Sequence, residues 1–298
     1  MTLASSLKAQ VGEWQREIKE LSRPRHIVDV LIQERAPNLA ALKVWPLLQP
    51  ILYKLLGYRD AVRMADAVQG LDGPACFDYV SNLLHMQIDL VGGENLPQEG
   101  ACMIACNHPT GIADGIILWS ALSSLRRDMA IFANRDAVRA NPKLNSFIIP
   151  VEWRPDFRSR AKTRETLQLS DRAFVEQRAV VLFPSGRLAY WDRDEKRIME
   201  RPWQPTVVSL ARKHQVPIIP VHIESRNSGL YYLFCRLSNE LRDITIFHEI
   251  LNKRDKSARV VVGAPIYPDK LDNDPNEGAV RLRHYVSETL GEDPAARF

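Results

Sequence analysis

The sequence predicts an α/β protein, a mixed sheet sandwiched by helices with an N-terminal helical portion ahead of it. Three observations carry that prediction. From about residue 86, short β-rich runs alternate with helix-like stretches, the pattern of a sheet covered by helices. Before residue 75 the texture is helical only. The 298 residues, 45% hydrophobic and 26% charged, support a large core, and neither a repeat nor a clear linker splits the region after residue 75. The expected division is therefore 1–75, a helical and membrane-associating region, and 76–298, one catalytic domain.

Residues 6–22 carry Leu7, Val11, Trp14, Ile18 and Leu21 at spacings of 4, 3, 4 and 3 with charges between them, one apolar stripe on a helix. Around 37–58 lies an apolar cluster from Leu39 to Tyr58 that includes Trp45, Leu48 and Tyr53, with only Lys43 and Lys54 charged. It reads either as a helix packed on the core or as one lying in a bilayer interface, with aromatic rings at headgroup level and lysines snorkelling. Strands are expected at Met86–Val91, Ala101–Ala105, Met129–Ala133, Phe147–Val151, Ala179–Phe183, Pro217–Ile223, Ile244–His248 and Arg259–Val262. Helices are expected near 115–125, 160–178, 204–214, 227–241 and 277–290.

Composition and missing motifs narrow the chemistry. Forty basic against 36 acidic side chains leave +4, which does not suggest a nucleic-acid protein but suits an anionic membrane surface. Cysteines 76, 102, 106 and 235 lack the C-x-x-C spacing of a zinc site and are too sparse for a disulfide framework, so reduced, mostly buried thiols of a cytosolic protein are expected. The first residues soon become charged and carry no apolar signal region. The stretch Val44–Tyr53 is too short and too broken by Pro46 and Pro50 to span a bilayer, which takes about 20 residues. Neither common nucleotide-binding glycine motif is present, and no G-x-S-x-G elbow appears.

The chemistry concentrates in Cys106-Asn107-His108-Pro109-Thr110-Gly111-Ile112-Ala113-Asp114-Gly115, between an apolar strand and a helix-like segment. A histidine at the carboxyl end of a strand sits where α/β folds place their sites. Asp114, brought back by the turn, would hold the Nδ1 hydrogen and leave Nε2 to take a proton. Its other reading is a cap on the following helix. A second strand ends in Phe183-Pro184-Ser185-Gly186-Arg187, where glycine permits close approach of a ligand and arginine can grip an anion. Val216-Pro217-Ile218-Ile219-Pro220-Val221 is a third piece. Phe147-Ile148-Ile149-Pro150-Val151-Glu152-Trp153-Arg154, ending in another potentially anion-binding arginine, is a fourth.

These four pieces resemble the blocks of the lysophospholipid (glycerolipid) acyltransferase family: N-H-x-x-x-x-D, a segment ending in Arg, F-P-E-G-T-R and a V-P-I-I-P-V-like strand. The resemblance covers roughly residues 86–268. It implies that family's fold, no cofactor or metal, and transfer of an acyl group from acyl carrier protein or acyl-CoA to a lipid hydroxyl at a membrane. His108 would be the general base and Asp114 its orienting partner, while Asn107, Arg154 and the residues Phe183, Pro184, Ser185, Gly186 and Arg187 would serve the substrate. Two features depart from the pattern: five residues separate His108 from Asp114, and Ser185 replaces the motif glutamate with Arg187 one position early. Both are similar to the hemolysin-like branch of ornithine-type aminolipid acyltransferases, as is the later run from Leu230-Tyr231-Tyr232 to Leu251-Asn252-Lys253-Arg254. The resemblance thus implies a lyso-aminolipid acceptor and a peripheral enzyme on the cytoplasmic face of the membrane. The alternatives are a 1-acyl-glycerol-3-phosphate acyltransferase and an inactive lipid-binding homologue.

Overall fold

The computed structural model describes residues 26–152, 154–192 and 194–298; the helix expected over 6–22 lies outside them. Seven strands form one sheet: β1 (Gln87–Val91), β2 (Cys102–Cys106), β3 (Met129–Asn134), β4 (Ile148–Val151), β5 (Ala179–Leu182), β8 (Ile218–Glu224) and β9 (Ser257–Val262). Their order is β1-β9-β8-β2-β5-β3-β4. The five strands from β8 to β4 are parallel, and β9 meets β8 antiparallel while pairing β1 in parallel, so the sheet is mixed as expected. Strands β6 (Tyr190–Asp192) and β7 (Arg197–Met199) form a separate small hairpin.

Central strand β2 shows why its sequence is apolar throughout. Cys102, Ile104 and Cys106 enter the core on one face, beneath the helices Gly73–Leu84 and Ile112–Leu122. Met103 and Ala105 enter the core on the other, with Phe174, Val207, Val208 and Leu282 of the helices Arg160–Val175, Thr206–His214 and Pro275–His284. A strand covered on both faces has no polar side, so its residues need not alternate. Cys76, Cys102 and Cys106 are buried free thiols, and Cys235 is an exposed one. Burial pushes the first two thiols up to about 11 and Cys106 well above the ordinary value, so all three behave as small apolar groups.

Two expectations about the chain's division change. The boundary at 75/76 falls inside the helix Gly73–Leu84, whose Cys76, Phe77, Val80 and Leu84 belong to the sheet's own core. Val28, Ile32, Tyr53 and Leu56 of the N-terminal region share a second core with Phe234 and Ile244. The segment expected as a strand at Ile244–His248 is instead the start of a helix, Ile246–Leu251. Its β-branched residues favour a strand locally, but Ile244, Phe247, Ile250 and Leu251 recur at helical spacing and pack inward together.

Residues 37–58 divide into a packed side and an exposed apolar side. Trp45, Tyr53 and Leu56 are buried, and Tyr53 stacks on Tyr58 with ring centroids 4.3 Å apart, so these aromatic rings are not at a membrane headgroup level. Leu42, Val44, Leu47, Leu48, Ile51 and Leu55 are exposed, flanked by exposed Lys43 and Lys54. Among the described residues no helix is long and apolar enough to cross a membrane.

Candidate active site

The three parallel strands β8, β2 and β5 lie side by side, and the chain leaving their carboxyl ends builds the site. Asn107, the first residue past β2, is buried with both ends of its amide in use: Nδ2 donates to the Ile223 carbonyl at 3.0 Å and Oδ1 accepts from the Ile223 amide at 2.7 Å. This clamp ties the loop to β8 and engages one donor and the acceptor of the side chain that was expected to serve the substrate. Asn107→Ala would strand both Ile223 backbone groups and is expected to destabilise the fold by about 2–4 kcal/mol, measured by urea denaturation.

His108 follows, its side chain 17% exposed, with Nδ1 2.9 Å from the fully buried Asp114 Oδ2. The approach is oblique, so Nδ1 has charge proximity without a well-directed hydrogen bond. Asp114 is also the cap foreseen as its other reading. It sits in the first turn of the helix Ile112–Leu122 and accepts from the Thr110 amide at 2.9 Å, the Gly111 amide at 2.9 Å and the Thr110 hydroxyl. Four backbone and side-chain contacts therefore fix the carboxylate against the imidazole across the five-residue loop. Gly111 makes the turn possible: its φ is +84°, and a Cβ there would meet Leu188 at 2.9 Å.

Leu188 belongs to the second loop, which joins the first at several points. The Phe183 ring stacks on His108 with centroids 4.4 Å apart and planes 29° from parallel. The Ala189 amide donates to the His108 carbonyl at 2.9 Å. Phe183 to Gly186 form a turn closed by the Gly186 amide on the Phe183 carbonyl at 2.9 Å, with Gly186 at φ +60°. Pro184 is buried and its carbonyl accepts from the Gln204 amide; Ser185 is buried and donates to the Arg187 carbonyl at 2.8 Å. Arg187 is exposed, and no carboxylate among the described residues pairs with it. Of the expected substrate residues in this turn, Gly186 and Arg187 are exposed, while Phe183, Pro184 and Ser185 are buried.

Arg154 is not brought to the dyad. It follows edge strand β4, with β3 and β5 between it and β2. Its guanidinium is bound by Glu34 at 2.8 Å and Glu152 at 3.0 Å and lies over the Phe157 ring. Burial opposes a charge on Glu152, but hydrogen bonds from Arg154 and Lys162 hold its carboxyl well below the usual range. An arginine neutralised in this way ties the Ile27–Arg35 helix to the sheet edge and has no charge to spare for an anion.

Sequence reasoning missed Glu200. Its Oε2 accepts from the His108 amide at 3.1 Å and its Oε1 from the Trp203 indole at 3.1 Å, and it is 7% exposed. Burial pushes its carboxyl up, partly offset by the bonds from His108 and Ser185. The residue lies 92 positions from His108 and just past the hairpin, where nothing in the local pattern marks a carboxylate turned inward. Among the described residues no group of three or more His, Cys, Asp or Glu side chains is placed to hold a metal ion.

Comparison with known proteins agrees with this geometry. Residues 87–224 match the family model named Acyltransferase. Two curated relatives, each named lyso-glycine lipid O-acyltransferase, are 24% and 23% identical over 198 residues. They come from Phocaeicola vulgatus and Bacteroides thetaiotaomicron; the matches span 64% of this chain and 67% and 69% of theirs. The solved 1-acyl-sn-glycerophosphate (LPA) acyltransferase PlsC from Thermotoga maritima is similar at a TM-score of 0.46 and 14% identity, over 92% of this chain and 100% of that one. The family match takes in the His108–Asp114 loop, the Phe183–Arg187 turn and all of β8, so residues 87–224 are similar to an acyltransferase domain.

Proposed function

We propose that this acyltransferase moves a fatty acyl group from an acyl carrier protein or CoA thioester to the hydroxyl of a lyso-aminolipid. His108 is the general base and Asp114 holds it. The observation that carries the reading is the His108–Asp114 contact of 2.9 Å at the carboxyl ends of parallel strands, beside the exposed Arg187. Nε2 has no hydrogen-bond partner among the described residues and takes the proton of the acceptor hydroxyl as its oxygen bonds to the thioester carbonyl carbon. The tetrahedral intermediate collapses with cleavage of the C–S bond, and the imidazolium returns the proton to the leaving thiolate. The Asp114 carboxylate, 2.9 Å behind the ring, stabilises the imidazolium between those steps.

The acceptor is inferred from the turn. Ser185 stands at the position of the motif glutamate, and Arg187, in the turn that follows Phe183, has no carboxylate partner among the described residues, whereas Arg154 is bound by Glu34 and Glu152. One guanidinium suits a carboxylate, which takes a bidentate pair, better than a phosphomonoester, which carries more charge and more acceptor oxygens. Both curated relatives are named for a lipid with a glycine headgroup, which supports the same class. The test offers one donor with lyso-glycine lipid, lyso-ornithine lipid and lysophosphatidic acid in parallel. The amino-acid lipids are expected to be acylated faster; faster turnover of lysophosphatidic acid would overturn the reading and favour a phosphatidate-forming enzyme.

A membrane surface is part of the proposal. The exposed side chains of Leu47, Ile51 and Leu55 repeat every fourth residue along the helix Trp45–Leu55 and make an apolar stripe. Such a stripe, flanked by lysines, fits a peripheral enzyme lying on an anionic bilayer.

A further inference from the structure

A second set of buried charges stands behind the dyad. Lys253, 4% exposed, donates from Nζ to Asn252 Oδ1 at 2.7 Å and lies 3.6 Å from Glu249 Oε2. Glu249, 2% exposed, accepts from the Ser228 amide at 2.8 Å, the Ser228 hydroxyl at 2.6 Å and Asn252 Nδ2 at 3.0 Å. Asn227, with its amide oriented to satisfy both neighbours, donates to Glu249 Oε2 at 3.1 Å and to the Thr110 carbonyl at 3.3 Å. Thr110 in turn donates its amide and hydroxyl to Asp114. A continuous buried path therefore runs from Lys253 through Glu249, Asn227 and Thr110 to the carboxylate that faces His108.

A buried ion pair gives weak net stability, because desolvating two charges offsets their attraction. Hydrophobic residues of similar volume would serve the fold as well. The pair here is not remote from the chemistry: it is linked by hydrogen bonds through Asn227 and Thr110 to the loop that carries His108 and to Asp114. From this arrangement we infer that Lys253, held by Glu249 and Asn252, is a positioning residue for acyl transfer: its positive charge behind the dyad opposes early protonation of His108, while Asn227 pins the 107–111 loop. The inference rests on the assignment of His108 as the base. Burial lowers the Lys253 ammonium from its ordinary value, with Glu249 and Asp114 opposing that loss, so both carboxylates sustain the charge the device requires. The other titratable groups near the ring are Glu200, on the hairpin side, and Cys106, at the end of β2. Cys106 stays neutral, and neither is altered by the substitutions below.

The sign of the effect follows from the charge. A cation near the imidazole disfavours the imidazolium, so removing it lets His108 take up a proton at higher pH. In Lys253→Met the acid limb of the kcat/KM profile is expected to move up by about 0.5–1 pH unit, and in Lys253→Arg, which keeps the charge, to stay in place. Because Lys253→Met leaves Glu249 buried without its partner, the double variant Glu249→Gln/Lys253→Met, which removes one charge of each sign, is measured beside it and is expected to leave the limb close to that of the unaltered protein. The His108 ring is also titrated directly by carbon-13 NMR, assigned by its disappearance in His108→Ala. That readout needs no turnover, so it separates failure of this inference from failure of the proposed reaction. A folded Lys253→Met variant with an unmoved acid limb and an unmoved ring titration, or a double variant that moves both up by as much as about 1 pH unit, would reduce Lys253 to a structural lysine and overturn the inference.

Discussion

His108→Ala is expected to lose about two to four orders of magnitude in kcat while binding lyso-lipid and folding as before. The magnitude is that of positioned proton transfer, and the geometry says why the loss is confined to chemistry. The ring contributes little to the core: its neighbours are Asp114, which keeps three other donors, and Phe183, which stays walled by the loop. The backbone of residue 108, which the Glu200 carboxylate and the Ala189 amide hold, is untouched by the substitution. Asp114→Asn is expected to lose less rate but more stability. It keeps the shape yet turns one oxygen into a donor facing the Thr110 and Gly111 amides, so the helix loses part of its cap. The two variants thus differ in kind, one affecting rate alone and the other rate and thermal midpoint together. A fully active His108→Ala enzyme would end the mechanism.

The contrast also shows where the sequence was legible. Strands β1, β2, β3, β4, β5, β8 and β9 stand within a residue or two of their expected places, because each is a short apolar run flanked by helical pattern. The hairpin β6–β7 escaped notice because the charged turn Asp192–Lys196 breaks a pattern already short. The His108–Asp114 pair and the Phe183 turn were legible because each is contiguous in the chain and sits at a strand end. Glu200, Asn227 and Lys253 were not, because their meaning lies in contacts across loops. The same blindness hid the partners of Asn107 and Arg154. A polar residue beyond a strand reads as a ligand group until its partners are seen, and here those partners are the Ile223 backbone and two carboxylates.

Replacing Leu47 and Ile51 together with glutamate is expected to release the protein from membranes. Both side chains are 67% exposed on the helix Trp45–Leu55, so the folded state loses almost nothing by the change. Trp45, on the same helix, is only 6% exposed, and a glutamate there would unfold the region instead of testing its surface. Burying an aliphatic side chain of this size is worth about 1.5–3 kcal/mol, so removing two from a bilayer interface lowers partitioning by about 100- to 10,000-fold. The added negative charges repel anionic lipid in the same direction. Co-sedimentation with vesicles of mixed zwitterionic and anionic lipid reads the effect, and turnover of a detergent-dispersed lyso-lipid shows that the site survives. Unchanged sedimentation of the double variant would remove this helix as the contact. Release of the unaltered protein by high salt alone would assign the attachment to charge, because an apolar stripe seated among acyl chains is not screened by ions.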